Sequence, residues 1–349
     1  MTSSFDMAFR LAANTARVAW FYGVNRLMTR AFSPRDGRGG KPVEITRPVP
    51  SQGELFADLR DLLIADAQDA RRGIHRSLEL GGPTNWPSHI ARLRDMLRDV
   101  PMTVERRRQG VHDTVRDHTG MRDWPDYYAQ DFHFQTGGHL SAEAARIYDV
   151  QVETLFYGSA DVMRRRAMRQ VHEHLAGRDQ RAISFLDVAC GTGRFLRDVR
   201  LTYPRLELAG LDLSPAYLAE AEAHLADLRP VRLIEANAEA IPLEAESCDV
   251  VTAIYLFHEL PPMVRATVAR EIARVLKPGG LFVLVDSLQF ADKPGWDGLL
   301  EAFPQRFHEP YYRHYLTHDL GEVAASASLE AGATDLAFLS KVMSFHKPA

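Results

Sequence analysis

The chain changes rhythm once along its length. Over residues 7–30, Phe9, Val18, Phe21, Val24, Leu27 and Met28 recur among Arg10, Arg17, Arg26 and Arg30, the pattern of an amphipathic helix. Residues 33–51 hold Pro34, Gly37, Gly39, Gly40, Pro42, Pro48 and Pro50 and read as a linker or exposed loop. Leu55, Leu59, Leu62 and Leu63 among charges predict a helix over 54–75, broken by Gly81, Gly82 and Pro83. A second helix is predicted over 87–99 and stopped by Pro101, with an arginine-rich third over 102–118. Residues 124–138 are aromatic and glycine-containing and read as a loop; Ser141 then N-caps another helix.

Near residue 181 the pattern turns to short apolar runs alternating with helical ones. Strands are predicted at 183–188, 206–213, 231–236, 249–256 and 281–287, and helices at 195–203, 215–228, 263–276 and 317–331. Lys277, Pro278, Gly279 and Gly280 form the turn before the fifth strand, and 336–345 supplies a closing hairpin. Val283, Leu284 and Val285 are apolar in succession, as a strand buried on both faces requires. The expected architecture is α/β: a Rossmann-like, doubly wound, mostly parallel seven-stranded sheet, preceded by a mainly helical N-terminal domain. The expected divisions are a basic amphipathic helix and linker over 1–50, a helical cap or dimerisation domain over 51–147, and the α/β domain over 148–349.

Composition narrows the class. The 349 residues carry a formal net charge of −4, with 46% hydrophobic and 25% charged positions, a soluble globular profile that does not call for a nucleic-acid partner. Two cysteines, Cys190 and Cys248, make neither a disulfide framework nor a cysteine-rich metal site, so a reducing, cytoplasmic compartment is expected. No apolar run approaches the ~20 residues of a membrane span. The segment before Pro48 is nonetheless basic, with Arg35, Arg38, Lys41 and Arg47 added to the helix arginines. Its helix is expected to pack on the protein's own core; peripheral contact with a membrane or a partner through 7–30 is the alternative.

The chemistry begins at Leu186-Asp187-Val188-Ala189-Cys190-Gly191-Thr192-Gly193, a strand ending in a glycine-rich turn that opens a helix. Such a turn lets a ligand approach the backbone. A dinucleotide site wants a third glycine where Leu196 stands, which argues against a nicotinamide-dependent reductase. Asp212 ends the next strand, where a carboxylate can take both hydroxyls of an adenosine ribose.

With these blocks in place the segment from about 148 to 345 resembles the class I S-adenosylmethionine-dependent methyltransferases, within them the ubiquinone/menaquinone C-methyltransferase-like group. Two further blocks carry the resemblance: Glu235-Ala236-Asn237-Ala238-Glu239-Ala240-Ile241-Pro242-Leu243, and Ser247-Cys248-Asp249-Val250-Val251 followed by Arg274-Val275-Leu276-Lys277-Pro278-Gly279-Gly280. The resemblance implies S-adenosyl-L-methionine as cofactor and a small-molecule methyl acceptor. It implies that Asp187, with the backbone of Ala189, Cys190, Gly191 and Gly193, faces the methionine part. Asp212 and Leu213 would hold the ribose, Asn237 and Ala238 would meet the adenine edge, and Tyr148 and Tyr255 would flank the cofactor. Asn237 stands where the family usually has Asp, and Ala189 where Gly is frequent.

Catalytic candidates are His258 and Glu259, beyond the fourth strand, and His133 in the aromatic stretch 127–139, which reads either as a substrate lid or as an inter-domain packing segment. His258 would serve as general base to a hydroxyl or acidic carbon, or else shape the pocket. The acceptor is expected to be mostly apolar or aromatic. His172 and His174, two residues apart on a helix, point away from each other, and no metal site is expected. A homodimer through the helical region is compatible with the pattern, as is a cofactor-binding module that acts through a protein partner.

Overall fold

The computed structural model describes residues 4–31, 44–76, 86–111, 124–134 and 137–349. The expected break at Gly81–Pro83 and parts of the linker and of the third helix lie outside these residues.

The N-terminal helices are α1 (Ser4–Ala31), α2 (Gln52–Arg72) and α3 (Trp86–Gln109). The basic helix α1 buries Phe21 and Val24 with Met96, Ile147 and Val150. Its Arg17, 7% exposed, donates to Asp161 and Gly158 and pairs with Glu153. No described helix is long and apolar enough to cross a membrane. Helix α2 starts on a capping box between Ser51 and Glu54, and its Leu59, Leu62 and Leu63 join the main core.

Pro101 does not stop a helix: α3 runs through it to Gln109. Proline removes one amide from the ladder. The carbonyl one turn back belongs to Leu97, which is exposed, as is Pro101, so the loss falls where water can replace the bond.

The α/β part continues through α4 (Ala142–Leu155), α5 (Ala160–Arg165), α6 (Met168–Leu175), β1 (Ser184–Val188), α7 (Arg194–Thr202), β2 (Glu207–Asp212), α8 (Pro215–Leu225), β3 (Arg232–Glu235), β4 (Cys248–Ile254), α9 (Pro262–Val275) and β5 (Leu276–Ser287). It closes with α10 (Asp297–Arg306), α11 (Tyr312–Tyr315), α12 (Leu320–Ser326), β6 (Glu330–Ala337) and β7 (Ser340–His346). The seven strands lie in the order β3-β2-β1-β4-β5-β7-β6. The first five are parallel, and β7 is inserted antiparallel between β5 and β6. The fold is the Rossmann-like, mostly parallel seven-stranded sheet expected from the pattern.

Two boundaries move. Strand β5 begins at Leu276, not 281, because Leu276 already pairs with Cys248; the register then shifts, and Gly279, at φ 73°, takes up the bulge. The helix expected over 317–331 is only Leu320–Ser326, capped by Asp319, and Ser328 at φ 61° turns the chain into β6. The sequence pattern carried no expectation for α10 or α11.

Candidate active site

Strand order reverses between β1 and β4, where the connections leave to opposite sides. A ligand crevice belongs outside the carboxyl ends of those strands. A cavity opens there, lined among others by Ala189 and Gly191 after β1, Asp212 and Leu213 at the end of β2, Ala236, Asn237 and Ala238 after β3, and Tyr255, Leu256 and Glu259 after β4.

The glycine-rich turn is built by backbone geometry. Ala189 sits at φ 56°, Gly191 at 53° and Gly193 at 74°, all left-handed. Ala189 therefore bears the Cβ strain that a glycine would avoid. A Cβ on Gly191 would meet nothing nearer than Tyr217 Cδ1 at 3.8 Å, so its open face belongs to the cavity. Asp212 is 8% exposed; its Oδ2 accepts from the Gly191 amide at 2.8 Å and its Oδ1 from the Ser214 amide at 2.9 Å. Burial pushes its carboxyl up from the usual range, and the two amides oppose that rise. The Asn237 carbonyl oxygen accepts from the Glu239 amide at 2.9 Å, and its amide nitrogen donates to Glu239 Oε1 at 3.1 Å. This side chain thus shapes its own loop as well as facing the cavity.

Of the residues expected at the cofactor, Tyr148, Ala189, Gly191, Asp212, Leu213, Asn237, Ala238 and Tyr255 line the cavity. Asp187, Cys190 and Gly193 lie behind that lining. Asp187, 2% exposed, accepts from the Thr252 hydroxyl at 2.6 Å, and burial pushes its carboxyl up to about 7. Cys190 turns its sulfur toward Gly210, where a Cβ would stand 2.8 Å away. Gly193 faces Ala221 and Leu225 of α8, where a Cβ would approach to 3.1 and 3.2 Å, so it sets the distance between α7 and α8.

Tyr127, Tyr128, His139 and Tyr217 complete the walls. Burial pushes the phenols of Tyr128, Tyr148 and Tyr217 up, so they present neutral hydroxyls. Tyr217 carried no signal in the sequence because it lies inside helix α8, outside any strand-end motif. Ser214 itself donates to the His139 carbonyl at 2.8 Å, which pins the 137–140 segment over the cavity.

The polar end of the cavity is a string of imidazoles and carboxylates. Glu259 lies on the wall, with His139 Nε2 at 3.4 Å and His258 Nε2 at 4.0 Å from its Oε1. Burial would raise the Glu259 carboxyl, but His139 and His258 hold it down to about 2. His258 does not line the cavity. Its Nδ1 meets Asp286 Oδ1 at 2.6 Å, its amide donates to Asp286 Oδ2 at 3.2 Å, and its ring stands edge-on to Tyr312 and Tyr315. Burial would lower its pKa; the Asp286 charge and hydrogen bond overcome this and raise it to about 9. His133, at φ 57°, meets Glu309 Oε1 through Nε2 at 2.5 Å. The three candidates His133, His258 and Glu259 therefore do converge on one region, with Asp286 and Glu309 as partners that spacing could not supply. His172 meets the Tyr203 hydroxyl and His174 lies beside Arg178, apart from one another.

The family model described as "Methyltransferase domain" matches residues 185–280, which hold the glycine-rich turn, Asp212, Asn237 and Glu259. The chain is 34% identical over 143 residues to the ubiquinone/menaquinone biosynthesis C-methyltransferase UbiE of Syntrophotalea carbinolica, covering 41% of this chain and 57% of that protein. It is 33% identical over 143 residues to the demethylmenaquinone methyltransferase of Lactococcus lactis, covering 40% of this chain and 54% of that one. The chain thus spans little more than half the length of these curated relatives. Among solved structures, a SAM dependent methyltransferase from Aquifex aeolicus aligns at TM-score 0.39 and 18% identity, over 52% of this chain and 89% of that one.

Proposed function

We propose that this chain, which carries a class I methyltransferase domain, transfers the methyl group of S-adenosyl-L-methionine to a small apolar or aromatic acceptor. The observation that carries the reading is the convergence of Gly191, Asp212 and the Asn237–Ala238 loop on one cavity at the sheet's switch point, inside the segment that the family model matches.

The residues fit the cofactor. The open face of Gly191 leaves room that a side chain would fill. Each Asp212 oxygen accepts one amide and keeps a lone pair for a ribose hydroxyl. Leu213 and Ala238 offer apolar surface to an adenine. When bound, S-adenosylmethionine supplies a sulfonium methyl group open to in-line displacement. Positioning then carries much of the rate.

The acceptor side supports a phenol- or quinol-like molecule. Tyr127, Tyr128, Tyr148, Tyr217 and Tyr255 give flat apolar walls with neutral hydroxyl tips, and Glu259 with His139 gives one polar end to orient an acceptor hydroxyl. The named relatives are quinone-pathway methyltransferases, consistent with that class. His258, fixed by Asp286 behind Glu259, acts in this reading as a positioning residue for the Glu259 carboxylate.

The test is calorimetry with S-adenosylmethionine, then transfer of a labelled methyl group to a panel of phenols, quinols and aliphatic alcohols. Binding with transfer to aromatic members supports the reading. Failure of the wild-type protein to bind the cofactor overturns it, and transfer confined to the aliphatic members overturns the acceptor class.

A further inference from the structure

One ring nitrogen of His133 and one carboxylate oxygen each of Glu259 and Glu309 lie within 4.8 Å of one another. The three residues come from separate parts of the chain: the turn at Phe132–Phe134, the turn at Phe257–Glu259, and the segment before α11. The Glu309 side chain is fully buried, and its Oε1 meets His133. Its Oε2 is buried too and has no hydrogen-bond partner among the described residues. A buried carboxylate oxygen without a partner is costly, and protein evolution leaves few of them.

We propose that His133, Glu259 and Glu309 form a binding site for one divalent transition-metal cation at the polar end of the cavity. One imidazole and two carboxylates are a mixed nitrogen and oxygen donor set, which suits Mn²⁺, Fe²⁺ or Zn²⁺ better than the all-oxygen cages of Ca²⁺. Bonds of about 2.0–2.2 Å let a central ion join donors about 4 Å apart, so small side-chain rotations close the site. The cation takes up the orphaned Glu309 oxygen. Glu259 belongs both to this cluster and to the cavity wall, so the ion keeps a coordination position facing the cavity. An oxygen of the acceptor is the ligand that position would receive, a consequence that rests on the methyltransferase reading. His139 and His258, at 3.4 and 4.0 Å from Glu259, are the competing cations. They lie nearest Glu259, and the hydrogen-bonded partner of Glu309 is His133, through Oε1.

The test uses the full chain stripped of metal with a chelator, without S-adenosylmethionine. Mn²⁺ is titrated and the free ion is followed by its electron paramagnetic resonance signal, with Zn²⁺ as competitor. One Mn²⁺ per chain at micromolar affinity is expected, displaced by Zn²⁺. Glu309→Gln and His133→Ala should each weaken binding by about tenfold or more. Mn²⁺ should also raise the melting temperature of the wild type more than that of either variant. His133 is partly exposed, so its variant keeps the test open if Glu309→Gln does not fold. A wild type that binds neither ion at millimolar concentration overturns the site, as does undiminished binding in a folded variant. A protein that binds S-adenosylmethionine but no metal loses this inference alone; one that binds metal but no S-adenosylmethionine loses the methyltransferase reading alone.

Discussion

The Gly191 amide donates to Asp212 Oδ2 across 2.8 Å, so the turn after β1 and the tip of β2 are one unit. Removing the carboxylate strips both that anchor and the proposed ribose contact. Asp212→Ala should therefore lose two ligand hydrogen bonds worth about 1.5–3 kcal/mol each to a charged group, a fall of about a hundredfold or more in S-adenosylmethionine affinity. Calorimetry of the variant reads this directly. An affinity within a few-fold of the wild type would remove Asp212 from the ribose.

Two glycines two residues apart should fail in different ways. Both have positive φ, but a Cβ on Gly193 strikes Ala221 and Leu225, while one on Gly191 finds space on the cavity side. Gly193→Ala should cost about 1–3 kcal/mol of stability through overpacking and left-handed strain. Gly191→Ala should cost about 1–2 kcal/mol from backbone strain alone and, in addition, weaken cofactor binding. Denaturant unfolding beside calorimetry separates the two. Equal losses of binding, measured where both variants are folded, would contradict the assignment.

The pairing of α2 with α5 sets an acid limit. Asp66 is buried and receives two hydrogen bonds from Arg165, at 2.9 and 3.0 Å. Burial would raise its carboxyl; Arg165 and His75 overcome this and hold it far below the usual carboxylate range. A carboxyl depressed in the folded state stabilises fully above its unfolded value near 3.9 and loses that contribution as pH falls below it. Unfolding free energy should thus drop as the medium is acidified below about pH 4. Asp66→Asn should cost up to about 3–5 kcal/mol at neutral pH by taking from buried Arg165 its hydrogen-bonded carboxylate and leaving it Asp198 at 3.9 Å, and should flatten the acid limb. Urea titrations at several pH values check both; an acid limb unchanged in the variant would assign it to other carboxyls.

What the sequence made legible was local. The glycine-rich turn, Asp212 and the Asn237 loop are each read within a few residues, because each is a short motif at the tip of one strand. Glu309 was not legible: it precedes a four-residue helix without periodicity, and only folding brings it to His133, 176 positions away. Asp286 was hidden for another reason, since it lies in an otherwise apolar strand and reads as an interruption rather than as the partner of His258. Pro101 misled because proline in a helix costs a hydrogen bond and crowds the preceding turn without forbidding the helix, and here both Pro101 and Leu97 lie on an exposed face.

Arg17 ties the basic N-terminal helix to α4 and α5. The helix was expected to pack on the protein's own core, and one of its arginines goes in with it: Arg17 is buried, bonded to the Gly158 carbonyl at 3.0 Å and to Asp161 at 3.0 Å, with Glu153 at 2.8 Å. Phe21 and Val24 bury the same face. Replacing Arg17 leaves Glu153 and Asp161 with a cation fewer, although Arg164 and Arg194 still hold Asp161. Arg17→Ala should destabilise the fold by about 3–5 kcal/mol and loosen α1 first, while the sheet persists. Limited proteolysis should cut the variant within residues 4–31 well before the wild type, with S-adenosylmethionine binding retained by the remainder. Equal resistance in the two proteins would mean that the apolar contacts of Phe21 and Val24 alone hold the helix in place.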